Sequence, residues 1–283
     1  MNIYGFDFTS APGPRKPITC AVCKLFEGTL QLHTCLKLQN FAEFEAFLNH
    51  AGPWFAALDF PFGQPRRLIS RLGWPETWEG YVQLVAAMGK HSFEHTLSQY
   101  SASRPPGDKH HSRVTDARAA SRSPMMLHRV PVAKMYFQGA PRLLASGVNI
   151  LPSRPTNDNR VVVEGYPALV ARRWIGRSSY KSDERSQQTV AKAAARQAIL
   201  RGLCSPELLD YYGCALAVPA SLSLELIEDP MADSLDALLC AVQAAWAYSQ
   251  RANGYGIPPD CDPLEGWIVD PALLGSRPDT FSV

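Results

Sequence analysis

Residues 1–63 read MNIYGFDFTSAPGPRKPITCAVCKLFEGTLQLHTCLKLQNFAEFEAFLNHAGPWFAALDFPFG. Asn2–Phe8 is an apolar run ending at Asp7-Phe8-Thr9-Ser10, and the Pro- and Gly-containing segment Ala11–Pro14 turns the chain. Pro17–Phe26 and Thr29–Lys37 are rich in Val, Ile, Leu and Cys, with Glu27-Gly28 between them, which is a hairpin pattern. Phe41, Phe44, Phe47 and Leu48 recur at helical spacing, and Pro53 closes that segment. Trp54–Phe60 returns to a strand and stops at Pro61-Phe62-Gly63. The order β-β-β-α-β predicts a three-stranded antiparallel meander, then a crossover helix that lays a fourth strand parallel to the first.

Beyond this segment, Trp78, Tyr81, Val82, Val85 and Met88 form an apolar helical stripe. Ser103–Ser123 lacks periodicity and carries Arg104, Lys109, Arg113, Arg118 and Arg122 against Asp108 and Asp116. It reads as a mobile basic loop inside a mainly helical insertion over 64–147. Val161–Glu164 is a compact strand broken at Gly165 and Pro167, and Asp183–Leu203 reads as a helix from its Ala, Gln and Arg content. A further helix is expected over Ala232–Tyr248, burying Leu235, Leu238, Leu239, Val242 and Trp246, and a last short strand over Gly266–Val269. The whole is an α/β chain with one dominant sheet, read as a single domain over 1–283.

A hydrophobic fraction of 46% and a charged fraction of 19% suit a globular core and argue against disorder. A net charge of +2 is too mild to argue for nucleic-acid binding by itself. The N-terminus enters a strand directly, without a signal-peptide pattern, and no apolar run is long enough to cross a bilayer. Seven scattered cysteines, an odd number, point to a reduced, cytoplasmic chain.

Three expected strands end in an acid: Asp7, Asp59 and Glu164. In a sheet with parallel core strands, ligands gather outside the carboxyl ends, so these side chains are expected to converge. Asp233 and Asp236, three apart on a helix, share one face, which the Leu/Val stripe leaves free to turn towards the sheet edge. Carboxylates brought this close raise one another's pKa unless a cation sits among them, and hard oxygen donors suit Mg²⁺ or Mn²⁺. Two such ions would stabilise the attacking and leaving oxygens of a phosphoryl displacement. The bland alternative is that each Asp is a turn former or helix cap bonded to local N–H groups.

Other residues give weaker signals. Lys181, Arg113 and Lys16 are candidate phosphate contacts, although isolated basic residues are usually solvated, and Asp116 either completes a site with Arg113 or pairs with it. Cys20-x-x-Cys23 lies in a strand, where odd spacing points the two thiols to opposite faces, so a zinc half-site is not expected. His91 and His95 are four apart on a helix but lack the glutamate of a His-Glu-x-x-His motif, and read as surface or packing residues.

The segments Gly-Phe-Asp7-Phe-Thr-Ser-Ala-Pro with Arg15-Lys16-Pro17-Ile18, Ala-Leu-Asp59-Phe-Pro-Phe-Gly, Val-Glu164-Gly-Tyr-Pro-Ala and Asp233-Ser-Leu-Asp236-Ala-Leu-Leu-Cys-Ala resemble the domain of unknown function 429 family. Arg113-Val-Thr-Asp116, Ser179-Tyr-Lys181 and Glu265-Gly-Trp-Ile268 look like segments of the same family, and the resemblance runs from Asn2 to about Val269. Asp233-x-x-Asp236-Ala further resembles the last acidic helix of Holliday-junction resolvases. The resemblance implies an RNase H-like mixed sheet flanked by helices and a predicted metal-dependent nuclease. Asp7 would be the central metal-bridging carboxylate, Asp59 the fourth-strand ligand and Asp236 the helix ligand, with Glu164 and Asp233 binding metal, positioning water or stabilising a loop. A non-catalytic nucleic-acid-binding or scaffold module of the same fold is the alternative, motivated by the basic loop. An actin-like ATP-dependent phosphotransferase ranks below both, since Asp7-Phe8 is followed by Thr9-Ser10 where its phosphate loop needs glycine.

Overall fold

A computed structural model describes residues 1–128 and 130–274; of the expected domain over 1–283, residues 129 and 275–283 lie outside the described residues. β1 (Asn2–Asp7) pairs antiparallel with β2 (Ile18–Phe26), and β2 with β3 (Thr29–Leu38). The Asn40 side chain accepts from the Glu43 N–H and so caps α1 (Phe41–Leu48), which leads to β4 (Trp54–Leu58), parallel to β1. There follow α2 (Arg66–Leu72), α3 (Trp78–Ala102), α4 (Val114–Ala119), α5 (Val132–Ser146), β5 (Asn149–Ile150) and β6 (Arg160–Glu164). The described chain continues through α6 (Pro167–Ile175), α7 (Val190–Leu203), α8 (Glu207–Tyr212), β7 (Ala215–Ala217), α9 (Ala220–Glu228) and α10 (Asp233–Ser249). Among the described residues the sheet has seven strands in the order β5-β6-β4-β1-β2-β3-β7, antiparallel across β1-β2-β3 and parallel elsewhere. Among the described residues no helix is long and apolar enough to cross a membrane.

Strand alternation divides the core into two layers. Tyr4, Phe6, Trp54, Ala56 and Leu58 face α1, α2, α3 and α5, so α2, α3 and α5, which lie between β4 and β5, share a core with the sheet. Ile3, Phe55, Ala57, Val161 and Val163 face α6, α7 and α10 on the other side. Cys20 and Cys23 fall into different layers, as their odd spacing requires, even though a bulge follows Val22.

Three local expectations need correction. The helix expected over Asp183–Leu203 starts only at Val190, because the Thr189 side chain caps it by accepting from the Lys192 N–H; residues 185–187 form a separate 3-10 turn. The strand expected over Gly266–Val269 reduces to one bridge between Glu164 and Ile268. The basic segment Ser103–Ser123 is not a wholly solvated loop: it contains α4, and Arg113 within it is buried.

α10 also departs from its expected amphipathic form, being buried on all sides from Asp233 to Ala247. Against β1 it presents the small residues Ala237 and Ala241 rather than its Leu/Val stripe. A Cβ built on Gly5 would lie 2.0 Å from the Ala237 carbonyl oxygen and 2.1 Å from the Ala241 nitrogen. The two backbones are therefore in contact, which only glycine allows. Gly5→Ala is expected to cost more than about 3 kcal/mol or to prevent folding, because backbone cannot yield as a side chain does. Gly13→Ala, with nothing within 4 Å of its Cβ, is the control. In urea denaturation it should lie within about 0.5 kcal/mol of the wild type, and equal stability of the two variants would refute the contact.

Candidate functional site

The site is built from the carboxyl ends of the two central parallel strands. β1 and β4 run in register to Phe6 and Leu58, and the Asp59 N–H then donates to the Phe6 carbonyl at 3.0 Å. Asp7 and Asp59 are thus neighbours, and by alternation both side chains lie on the layer that holds α10. Asp7 is nine-tenths buried (9% exposed), and among the described residues no hydrogen bond reaches either carboxylate. Thr19, opposite Asp7 on β2, is fully buried, and its hydroxyl lacks a partner among the described residues.

The contact at Gly5 brings the first turn of α10 to this point. Ala232, buried and left-handed at φ 60°, sets the direction of the helix, and the Asp236 N–H closes the first turn on its carbonyl at 2.8 Å. Asp236 is wholly buried; one carboxylate oxygen accepts from the Tyr180 hydroxyl at 2.6 Å and the other from the Lys181 ammonium. The segment carrying Lys181 is anchored on both sides. Arg196 donates to the Tyr180 carbonyl at 2.8 Å, and the Ser182 N–H donates to the Pro230 carbonyl at 3.1 Å. At the rim Lys16 bonds Asp183 at 2.8 Å and stands 4.0 Å from Asp233.

Burial pushes Asp7 well above the usual carboxylate range; the Lys181 ammonium opposes this, and Asp236, Asp233 and Asp59 add to it. Burial likewise takes Asp59 up to about 7, with Lys181 opposing and Asp236 and Glu164 adding. Asp233 is raised by burial against the pull of Lys16. For Lys181, burial works to lower the pKa, but Asp236, Tyr180 and Asp7 outweigh it and keep the ammonium charged. The cluster holds more negative charge than its lysines balance, so it favours either protons or a cation.

Among the described residues no three acid, histidine or cysteine side chains form a ready-made metal cage. Asp236, expected as a metal ligand, has a donor on each oxygen, and Asp233 has Lys16 4.0 Å away, which leaves Asp7 and Asp59 as the pair with neither a hydrogen bond nor an ion pair among the described residues. Two unbonded carboxylates on neighbouring strands are hard oxygen donors of the kind that suits Mg²⁺ or Mn²⁺.

Glu164 does not join them. It pairs in register with Leu58, not Asp59, so alternation turns it to the opposite layer. There Arg113 meets it with hydrogen bonds of 2.6 and 2.7 Å, meets Asp116 with two of 2.8 and 2.9 Å, and donates to the Glu265 carbonyl at 2.8 Å. All five guanidinium N–H groups are engaged, and the residue is 1% exposed. The expectation that Arg113 contacts phosphate is therefore corrected: it is a buried clamp joining β6, α4 and the segment after residue 260. Asp116 pairs with it, as the second of the two sequence readings has it. The Glu265 carboxylate completes the clamp, accepting from the Arg66 N–H at 2.7 Å and the Val114 N–H at 3.0 Å. His91 and His95 are exposed and stack on α3, away from either constellation.

A cavity of about 380 Å³ opens between the two constellations, off the ends of β4 and β6. Asp59 and Lys181 line one side, the Arg113–Asp116–Glu164 group another, and Val132, Met135, Tyr166 and Ile268 supply apolar wall. Sequence reading missed Thr19, Tyr180 and Arg196. Thr19 follows from strand pairing, but the other two join the site through contacts 56 and 16 residues distant in sequence, which no local pattern announces.

The family described as Protein of unknown function (DUF429) matches residues 5–261, and the chain belongs to that family. No curated protein and no solved structure matches it.

Removing the guanidinium would leave Glu164 and Asp116 as unpaired buried charges. Arg113→Met is expected to cost about 3–5 kcal/mol in denaturant unfolding, and Arg113→Lys should not restore the loss because an ammonium cannot reproduce the fork. A loss under about 1 kcal/mol would contradict the clamp. For Asp59, the unfolded carboxyl titrates near 4 and the folded one near 7, so the folded state binds more protons between those values. Its contribution therefore lowers stability as pH rises through that window. His111, pushed down by burial to about 4, acts in the opposite sense over most of it. Comparing Asp59→Asn with the wild type in EDTA isolates the carboxylate. The variant's advantage in Tm should grow from about pH 4 to about pH 7, and a flat difference would count against the shift.

Proposed function

We propose that this member of the family is a metal-dependent phosphodiesterase that hydrolyses nucleic acid on an RNase H-like fold. The observation that carries the reading is the neighbouring pair Asp7, buried at the end of β1, and Asp59, half-buried one residue past β4, with no hydrogen bond to either carboxylate among the described residues. The central order β6-β4-β1-β2-β3, with β2 alone antiparallel to both its neighbours, supports the fold reading. Fold analogy does not carry the activity; the carboxylate pair does.

In this reading Asp7 and Asp59 hold Mg²⁺ or Mn²⁺, which would supply Lewis acidity at the scissile phosphate. Asp236 holds Lys181 at the mouth of the cavity, where the ammonium faces the negative charge of the phosphodiester. Lys16, with Asp233 and Asp183, forms the rim beside it. A water molecule attacks phosphorus and gives its proton to a cluster carboxylate. The P–O ester bond breaks, and the departing oxygen takes up a proton, leaving a phosphomonoester and an alcohol.

A second reading, a nucleic-acid-binding module without turnover, is favoured by the Lys181–Asp236 ion pair, which offsets part of the cluster's charge. Purified protein is expected to cleave RNA, DNA, hybrid or branched substrates with Mn²⁺ or Mg²⁺ and to lose at least about 100-fold of that rate in Asp7→Asn, roughly 2.7 kcal/mol of transition-state stabilisation. Salt-dependent binding with no cleavage, unchanged in Asp7→Asn, would replace catalysis with the binding module. Absence of both cleavage and binding would end both readings.

A further inference from the structure

The acid cluster already contains a cation of its own. Lys181 is not a loosely placed surface lysine. Its ammonium bonds the wholly buried Asp236, the Tyr180 hydroxyl takes the other oxygen of that carboxylate, and the backbone on each side is fixed by Arg196 and by Pro230. The side chain is 44% exposed, so it reaches the buried carboxylate from the cavity side, where it lines the same wall as Asp59. An ion pair assembled this way does not depend on a mobile surface side chain finding its partner.

The distribution of free oxygens has a consequence for metal count. A pair of divalent ions roughly 3.5–4 Å apart needs carboxylate oxygens on both sides and one between. Asp236 has no oxygen without a donor, and Glu164 lies on the other face of the sheet beneath Arg113. Among the described residues the carboxylates near β1 that accept no hydrogen bond are those of Asp7, Asp59 and Asp233, and Asp233 has the Lys16 ammonium 4.0 Å away at the rim to balance its charge. Asp7 is nine-tenths buried and unbonded, and the orphan Thr19 hydroxyl opposite it is an oxygen donor without a partner among the described residues. These oxygens provide for one hard cation.

We infer that the site takes a single divalent ion on Asp7 and Asp59, and that the Lys181 ammonium, held by Asp236, occupies the place of a second. The chemistry is that of one metal and one fixed ammonium acting on opposite sides of a phosphodiester. This rests on the proposed phosphodiesterase reading and narrows it: phosphate charge is shared between a removable ion and a covalently attached one.

The experiment is a Mn²⁺ titration of the full chain, followed by electron paramagnetic resonance and by calorimetric stoichiometry, which needs no substrate. The wild type should bind one Mn²⁺ per chain and give the resolved hyperfine pattern of an isolated ion. Lys181→Gln removes the charge and frees an Asp236 oxygen, so stoichiometry should rise to two and the spectrum should broaden through coupling of neighbouring ions. Lys181→Arg, which keeps the charge, should remain at one. Two coupled ions in the wild type would overturn the inference and leave the metal reading intact. A single isolated ion in Lys181→Gln would also overturn it, because the ammonium would then not be what excludes the second. No bound ion in the wild type would overturn the metal reading itself. Should Lys181→Gln fail to fold, the wild-type stoichiometry and spectrum still decide between one ion and two.

Discussion

At Gly5 the backbone of a strand and the backbone of a helix touch. A glycine at that position of β1 lets α10 settle onto the sheet with its Ala237 and Ala241 turns against the strand, closer than any side chain would permit. Much else follows from this contact. α10 becomes a helix buried on every side, in keeping with its unbroken run of Ala, Leu, Cys and Val. Its first turn is carried to the end of β1, where Asp233 and Asp236 meet Asp7. The left-handed Ala232 that precedes it, a conformation that costs an L-residue about 1–2 kcal/mol, is held by burial in the same layer.

Two charged constellations lie near one another on opposite faces of the sheet, and they differ in a way that separates structure from chemistry. Around Arg113 every guanidinium N–H has an acceptor, and the carboxylates it meets also take N–H groups from Phe62 and from Arg113 itself. A buried ion pair persists when its remaining hydrogen-bonding capacity is filled in this way, and it ties distant segments together. Around Asp7 the balance is unfilled: carboxylates outnumber lysines, Asp7, Asp59 and Asp233 accept no hydrogen bond among the described residues, and burial raises their proton affinity. A site that is electrostatically unsatisfied when empty gains most from a bound cation.

The cavity between the constellations gives the two a common boundary. Its apolar wall comes from α5 and from the residues that follow β6, while its charged groups come from the ends of β4 and β6, from α4 with Arg113 before it, and from the Lys181 segment. Between β4 and β5, α2, α3 and α5 thus build the core of one layer, and α5 also walls the opening, which makes it part of the architecture of the site.

Much of this was legible in residue order alone. The meander, the crossover helix and the parallel fourth strand follow from alternation, helical spacing and the punctuation of Glu27-Gly28, Pro53 and Pro61, because those signals are local. Asp7 and Asp59 were legible as strand-end acids, and Asp233 with Asp236 as one face of a helix. Tertiary structure alone decided which of these side chains meet. A strand's register fixes the face of every residue on it, and a shift of one position sent Glu164 away from Asp59 and towards Arg113. It likewise decided that Arg113 is buried and that Lys181 enters the acid cluster, since both depend on partners 51 and 55 residues away. Local sequence specifies periodicity and turns; register and helix docking are set by packing across the whole chain, and the charges of the site are sorted by those two.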